Sequence, residues 1–210
     1  MSRLCYNRRE AVAYLKSRCA DLGRLIEDSG PLKLKVARDS DLFDALSAAI
    51  IYQQLSGKAA ATIHGRFKAL FQGGVPEAGQ ARNLPHDTLR SAGLSNNKVL
   101  AVHDLAQKSL DGTLVSERHL RRCDDDVVIR MLCRVRGIGP WTAQMYLIFN
   151  LGRPDVMPAT DLGIQKGVQW VYGQDRLPTP EEVLETTRHL SPYRSAASWY
   201  FWLAADTGLV

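Results

Sequence analysis

Arg136-Gly137-Ile138-Gly139-Pro140-Trp141-Thr142-Ala143 is the stretch whose reading decides the fold. Upstream of it, Val128, Met131, Leu132 and Val135 fall at helical spacing, and Asp124, Asp125 and Asp126 put negative charge where that helix begins. Downstream, Pro140 suits the first position of a second helix running to about Asn150. Two glycines around one apolar residue therefore join two helices in a sharp turn that can approach another surface closely. Main-chain N–H groups at such a turn, and at the helix start behind it, form an anion site without any side chain, and a DNA phosphate fits it. Taken alone, the pattern serves equally a plain turn in which Gly137 ends one helix and Ile138 plugs the core.

Helical periodicity extends outward from this hairpin. Phe43, Leu46, Ile50 and Gln53 share one face of a helix between Ser40 and Gln54. Ser56 caps a second, with the stripe Ala60, Ile63, Phe67 and Leu70 and a stop at Gly73-Gly74. Ser95 starts another, carrying Val99, Val102, Ala106 and Leu110. Thr179-Pro180-Glu181-Glu182 reads as a capping box with proline at the first helical position. Residues 192–205 form a last helix bearing Trp199, Tyr200, Trp202 and Leu203, and residues 8–28 also read as helical. Alternating strand patterns are scarce, so the fold class is all-α.

Composition bounds the function. Of 210 residues, 45% are hydrophobic and 23% charged, as in an ordinary folded domain and unlike a disordered chain. No apolar run approaches the roughly 20 residues that span a bilayer, and no apolar segment follows the charged N-terminus as in a signal peptide. The expected location is therefore inside the cell, cytoplasmic at the nucleoid, or nuclear in a eukaryote. A net charge of +5 tilts the choice of partner toward a polyanion. Cys5, Cys19, Cys123 and Cys133 have neither CxxC spacing nor nearby His ligands, so reduced thiols are expected, with Cys133 a small buried hydrophobe.

Asp161 follows Gly139 by 22 residues, across one helix, Gly152 as a stop, and the loop of residues 153–160. It opens a helix whose apolar positions include Ile164, Val168 and Val171. An isolated Asp there reads as a helix cap. A cap is also rigidly held, which a catalytic carboxylate needs.

With these residues in view, the chain resembles the HhH-GPD superfamily of DNA glycosylases. The resemblance rests on residues 132–143 and on Arg153-Pro154-Asp155-Val156-Met157-Pro158-Ala159-Thr160-Asp161-Leu162-Gly163-Ile164. Ala49-Ile50-Ile51-Tyr52-Gln53-Gln54-Leu55-Ser56 and Pro192-Tyr193-Arg194-Ser195 add to it, and the whole is most similar to the alkylation-repair branch, the 3-methyladenine DNA glycosylases of type II. It implies a two-lobed helical fold with an active-site cleft between the lobes. Residues 1–40 become an N-terminal helical segment packing on a core of residues 41–210, with the helix-hairpin-helix at about 125–150. Larger bacterial relatives begin with a β-rich domain, which the 40 or so residues ahead of the match do not supply.

The resemblance makes Asp161 catalytic. Breaking an N-glycosidic bond develops positive charge on the sugar, which a preorganised carboxylate stabilises while orienting the attacking water. An alkylated purine is already cationic and leaves with little acid assistance. Relatives that also cut the backbone carry a lysine just after the hairpin as a Schiff-base nucleophile. Here that position is Trp141, so no lyase activity is expected. The absence of cysteine beyond Cys133 likewise implies no iron–sulfur cluster.

Trp141 and Trp202 are implied to line the base pocket, where an indole face attracts a cationic base. Met145 stands where a bacterial relative has an aromatic, a departure that bears on base preference. The wedge that fills the gap left by a flipped base comes from the turn containing Gln53, Gln54 and Leu55, with Gln54 or Leu55 as its tip. Gly137, Ile138, Gly139 and Thr142 would grip the DNA, with Lys58, Lys98 and Lys166 on phosphates. Main-chain carbonyls of Cys133, Val135 and Ile138 would hold a monovalent cation, sodium or potassium, and no other cofactor is implied. The partner is double-stranded DNA containing alkylated bases, with no membrane, and the chain is a monomer. Rival readings are a glycosylase for oxidised, deaminated or mismatched bases, and a non-catalytic hairpin module.

Overall fold

The computed structural model describes residues 4–37 and 41–207. Among them the regular structure is helical throughout, with no strand, as the all-α reading requires. The helices are α1 (Arg8–Arg18), α2 (Ala20–Ser29), α3 (Leu42–Tyr52), α4 (Gly57–Lys68), α5 (Ala78–Asn83), α6 (His86–Ser91) and α7 (Asn96–Leu110). They continue as α8 (Glu117–Leu120), α9 (Asp125–Leu132), α10 (Pro140–Tyr146), α11 (Leu162–Val171), α12 (Pro180–Thr186) and α13 (Arg194–Thr207). No helix among the described residues is long and apolar enough to cross a membrane.

The chain divides into two compact units. One comprises residues 39–146, and the other joins residues 1–38 to residues 147–210. Within the first, α7 packs against α3 and α5, and α10 against α9 and α3. Val99, Val102 and Ala106 of α7 are fully buried, as its periodicity marks, and Leu105 joins them. Leu110, the last of the expected stripe, is 55% exposed because α7 ends there and runs out past the packed face. Within the second, α11 crosses α13, and α1 and α2 lie on α13.

Local chemistry places most of the helix starts. Ser56 accepts from Ala59 N–H, and Ser95 from Lys98 N–H. At α12 both halves of the capping box form between Thr179 and Glu182. The N-terminal helical stretch is broken at Cys19, an extended residue that ends α1 and caps α2 through its sulfur on Leu22 N–H. Cys19 is the buried thiol. Cys133, expected in the core, ends α9 and is only partly covered, because a helix C-cap sits where the chain leaves the packed face.

The helix from Pro140 is shorter than its pattern suggests. It is α-helical to Tyr146 and continues as a π-helical segment over Leu147–Leu151. Such a segment inserts an extra residue per turn and shifts the register of every side chain beyond it.

Candidate active site and DNA-gripping hairpin

In the second unit, Asp161 caps α11 with Oδ1 accepting from Ile164 N–H at 3.0 Å. The same oxygen accepts from Trp202 Nε1–H at 2.9 Å. Trp202 stacks on Phe149 of the π-helical segment, with centroids 5.7 Å apart and planes 28° from parallel. The carboxylate is thus fixed by a main-chain and a side-chain donor, and its tryptophan partner is itself held by a ring.

Two glycines make this arrangement possible. A Cβ on Gly163 would lie 2.9 Å from Trp202 Cδ1 and 3.0 Å from Asp161 Oδ1. A Cβ on Gly167, one turn further, would lie 2.1 Å from the carbonyl oxygen of Phe201. Backbone can cross at that distance only where no Cβ intervenes. The close crossing of α11 and α13 at Gly167 brings Trp202 within reach of the α11 cap.

The loop ahead of Asp161 is tied to the start of α13. Arg194 forms a fork onto Asp155, with Nε–Oδ1 at 2.7 Å and Nη2–Oδ2 at 2.8 Å, and Ser191 Oγ donates to Oδ2 at 2.8 Å. Val156 N–H donates to Ser195 Oγ and Ser195 N–H to Pro154 O, each at 2.9 Å. Burial pushes the Asp155 carboxyl up, but hydrogen bonds from Arg194 and Ser191, with the Arg194 charge, outweigh it and hold the carboxyl below its ordinary value.

In the first unit, the hairpin is a β-turn closed by Ile138 N–H on Val135 O at 3.0 Å, with Gly137 at φ +78°. That sign of φ at the third turn position favours glycine. Ile138 is 4% exposed, so its side chain plugs the core while its N–H closes the turn. The plain-turn role is thus filled by Ile138, which leaves the glycine N–H groups and the start of α10 as the candidate anion site. Arg136 N–H donates to Asp104 Oδ2 at 2.7 Å, which fixes the hairpin to α7.

The turn of residues 53–56 lies beside this hairpin in the same unit. Gln53 Nε2 donates to Gly137 O at 2.9 Å and to Thr142 Oγ1 at 3.4 Å. Gln54 has φ +57°, the one left-handed non-glycine among the described residues, and Leu55 is 38% exposed. Trp141, at the start of α10, is 41% exposed, unlike a core tryptophan, and Met145 is half-buried. Lys58 and Lys166 are exposed, as phosphate contacts would be. Lys98 is not placed that way. Its ammonium donates to Ile51 O at 2.6 Å and Gln53 O at 2.9 Å, because the end of α3 presents carbonyls that need a cation.

Phe149 and Gly163 are not singled out by the sequence alone. Phe149 falls four residues after Met145 and eight after Trp141, and that spacing was the available signal. Nothing local marks Gly163, whose neighbour Trp202 is 39 positions away.

Residues 47–192 match the HhH-GPD superfamily of base excision DNA repair proteins, and the chain belongs to that family. It is 34% identical over 161 residues to DNA-3-methyladenine glycosylase 1 of Schizosaccharomyces pombe, covering 76% of this chain and 71% of that one. The structure of S. pombe 3-methyladenine DNA glycosylase (Mag1) in complex with abasic DNA superposes with a TM-score of 0.84 at 30% identity, covering 94% of this chain and 97% of that one. A DNA-3-methyladenine glycosidase from Bacillus halodurans gives 0.85 at 31% identity, covering 94% and 90%.

Proposed function

We propose that this chain is a monofunctional DNA glycosylase that flips out and excises alkylated bases of the 3-methyladenine and 7-methylguanine type, leaving an abasic site. The observation that carries this reading is Asp161, held at the start of α11 by Ile164 N–H and Trp202 Nε1–H, in a chain whose relatives are named 3-methyladenine glycosylases.

The chemistry follows from that carboxylate. As the N-glycosidic bond lengthens, positive charge grows on the sugar, and a carboxylate that need not reorient stabilises it. The same group orients a water for attack at the anomeric carbon. The departing base carries its own positive charge and needs little proton donation. Trp141, 41% exposed at the start of α10, offers that cation a π surface, with Met145 one turn further along the same helix. Trp141 stands where a lyase would need an amine, so strand cleavage is no part of the reaction.

Gly137, Gly139 and the start of α10 take a phosphate, Lys58 and Lys166 add charge, and the turn bearing Gln54 and Leu55 fills the space the flipped base vacates. A monovalent cation at the hairpin would be held by the carbonyls of Cys133, Val135 and Ile138. Val135 O accepts one hydrogen bond and keeps its second lone pair, which fits such a ligand. The ion would reinforce the positive field at the phosphate. The chain acts as a monomer on nucleoid or nuclear DNA.

Base release from methylated DNA by the wild type and Asp161→Asn, with strands analysed before and after alkali, tests this reading. Free alkylated base from the wild type alone, with breaks only after alkali, supports it. Breaks without alkali reveal an unrecognised amine nucleophile, and no release by the wild type leaves a binding module.

A further inference from the structure

We infer that Lys98 is a positioning residue for the DNA-penetrating turn: its ammonium, clamped on Ile51 O and Gln53 O, holds the left-handed conformation at Gln54 and sets the turn against the hairpin. The inference rests on the proposal that this turn enters the duplex.

Three observations within one compact unit converge on it. The last carbonyls of α3 have no further helical turn to supply donors. Lys98, reaching from the first turn of α7, donates to Ile51 O at 2.6 Å and to Gln53 O at 2.9 Å, across 47 and 45 residues of sequence. Gln53 is held at its other end as well, its amide donating to Gly137 O and Thr142 Oγ1 at 2.9 and 3.4 Å. Between these fixed points and the Ser56 cap of α4, Gln54 adopts φ +57°, a conformation that costs a non-glycine residue free energy and persists only where its surroundings impose it.

Two of the three ammonium donors are thus committed to carbonyls. Burial also lowers the Lys98 pKa, consistent with an ammonium drawn away from solvent. A side chain so engaged sets backbone geometry rather than neutralising a phosphate. Gln53 receives Lys98 on its carbonyl and gives its amide to the hairpin, so one residue ties the turn to both.

Salt dependence separates the two roles. A lysine on a phosphate contributes about 0.9 to the slope of log K against log salt, whereas a positioning lysine contributes none. Lys98→Met and Lys98→Arg are compared with the wild type by anisotropy on an unmodified duplex across salt. Extrusion is followed on a duplex with 2-aminopurine beside a 7-methylguanine, together with kcat and KM for release of the methylated base. Both variants are expected to keep the wild-type slope and to lose about tenfold in extrusion and kcat, with KM little changed. Arginine keeps the charge, but its planar fork does not reproduce a point ammonium between two carbonyls, so it does not rescue.

A slope lowered by about 0.9 in Lys98→Met, with wild-type extrusion in Lys98→Arg, makes Lys98 a phosphate contact and overturns the inference. Should Lys98→Met fail to fold, Lys98→Arg decides alone: wild-type extrusion overturns the positioning role, and impaired extrusion supports it. A Gln54→Ala/Leu55→Ala variant tests the underlying reading. Lost extrusion there, with none lost in the lysine variants, overturns the role of Lys98 only. Intact extrusion in all of them overturns the wedge and the Lys98 role together.

Discussion

The indole N–H of Trp202 reaches Asp161 Oδ1 at 2.9 Å, the oxygen that also caps Ile164 N–H at 3.0 Å. Trp202 thus holds the Asp161 carboxylate, catalytic in the proposed reaction, by its edge, while one face of its ring rests on Phe149. A pocket wall would act on substrate binding. A donor to the carboxylate acts on the chemical step.

Trp202→Phe separates these roles, since phenylalanine keeps a ring for the Phe149 stack and removes the N–H. A hydrogen bond to a charged group contributes about 1.5–3 kcal/mol, so single-turnover kcat on methylated DNA should fall at least about tenfold. A rise in KM with kcat unchanged would assign Trp202 to the pocket alone.

Gly163→Ala puts a methyl 2.9 Å from Trp202 Cδ1 and 3.0 Å from Asp161 Oδ1. Alanine favours helix over glycine by about 1 kcal/mol, so the thermal midpoint should change little, while activity should fall because ring and carboxylate are pushed apart. A folded Gly163→Ala enzyme with wild-type kcat would refute this.

Gly167→Ala should behave differently. Its Cβ would meet backbone, 2.1 Å from Phe201 O, and a carbonyl cannot swing aside as a ring can. The expected outcome is a loss of stability of about 3 kcal/mol or no soluble protein, read by urea unfolding.

Asp155 gives a pH prediction. Its carboxyl is held below its ordinary value, so the stabilisation from its pairing with Arg194 and Ser191 is present in full above the unfolded-state value of about 3.9. It is lost as pH falls through the lower folded-state value. Asp155→Asn should therefore cost about 1–2 kcal/mol at neutral pH, discounted for partial exposure, and the two proteins should converge in acid. Urea midpoints from pH 7 to pH 2 check it; a constant gap across that range would disprove the pairing.

Gln54→Gly removes the strain of a left-handed glutamine, so the melting temperature should hold or rise. Excision should fall where Gln54, rather than Leu55, is the tip of the proposed wedge, and hold where Leu55 is. A melting temperature lowered by several degrees would mean that the Gln54 side chain stabilises the fold.

What could be read from the sequence follows the range of the interactions involved. The caps at Ser56, Ser95 and Thr179 act over three residues, and the α7 stripe as far as Ala106 over one helix, so neighbours in sequence determined them. The spacing of hairpin and Asp161, joined to a family resemblance, pointed to Asp161, and its place as the cap of α11 was legible from the residues after it. The carbonyl contacts of Lys98 are not legible in the same way, because its partners are 47 and 45 residues away and main-chain, and any residue type supplies a carbonyl. The π-helical segment escaped notice because Leu147-Ile148-Phe149-Asn150-Leu151 lacks the glycine or proline that announces a break. Cys19, where the N-terminal helix breaks, gives no such warning either.

Both tethers of the Asp161 segment are anchored by α13: Arg194 and Ser195 hold the preceding loop, and Trp202 holds the carboxylate itself. During synthesis, every residue of the hairpin, the turn of residues 53–56 and Lys98 has been made by position 146, within one compact unit. Asp161 leaves the ribosome 41 residues before its tryptophan. Chain order thus completes the proposed elements for holding DNA before the proposed site for cutting a base from it, whose last member is Trp202.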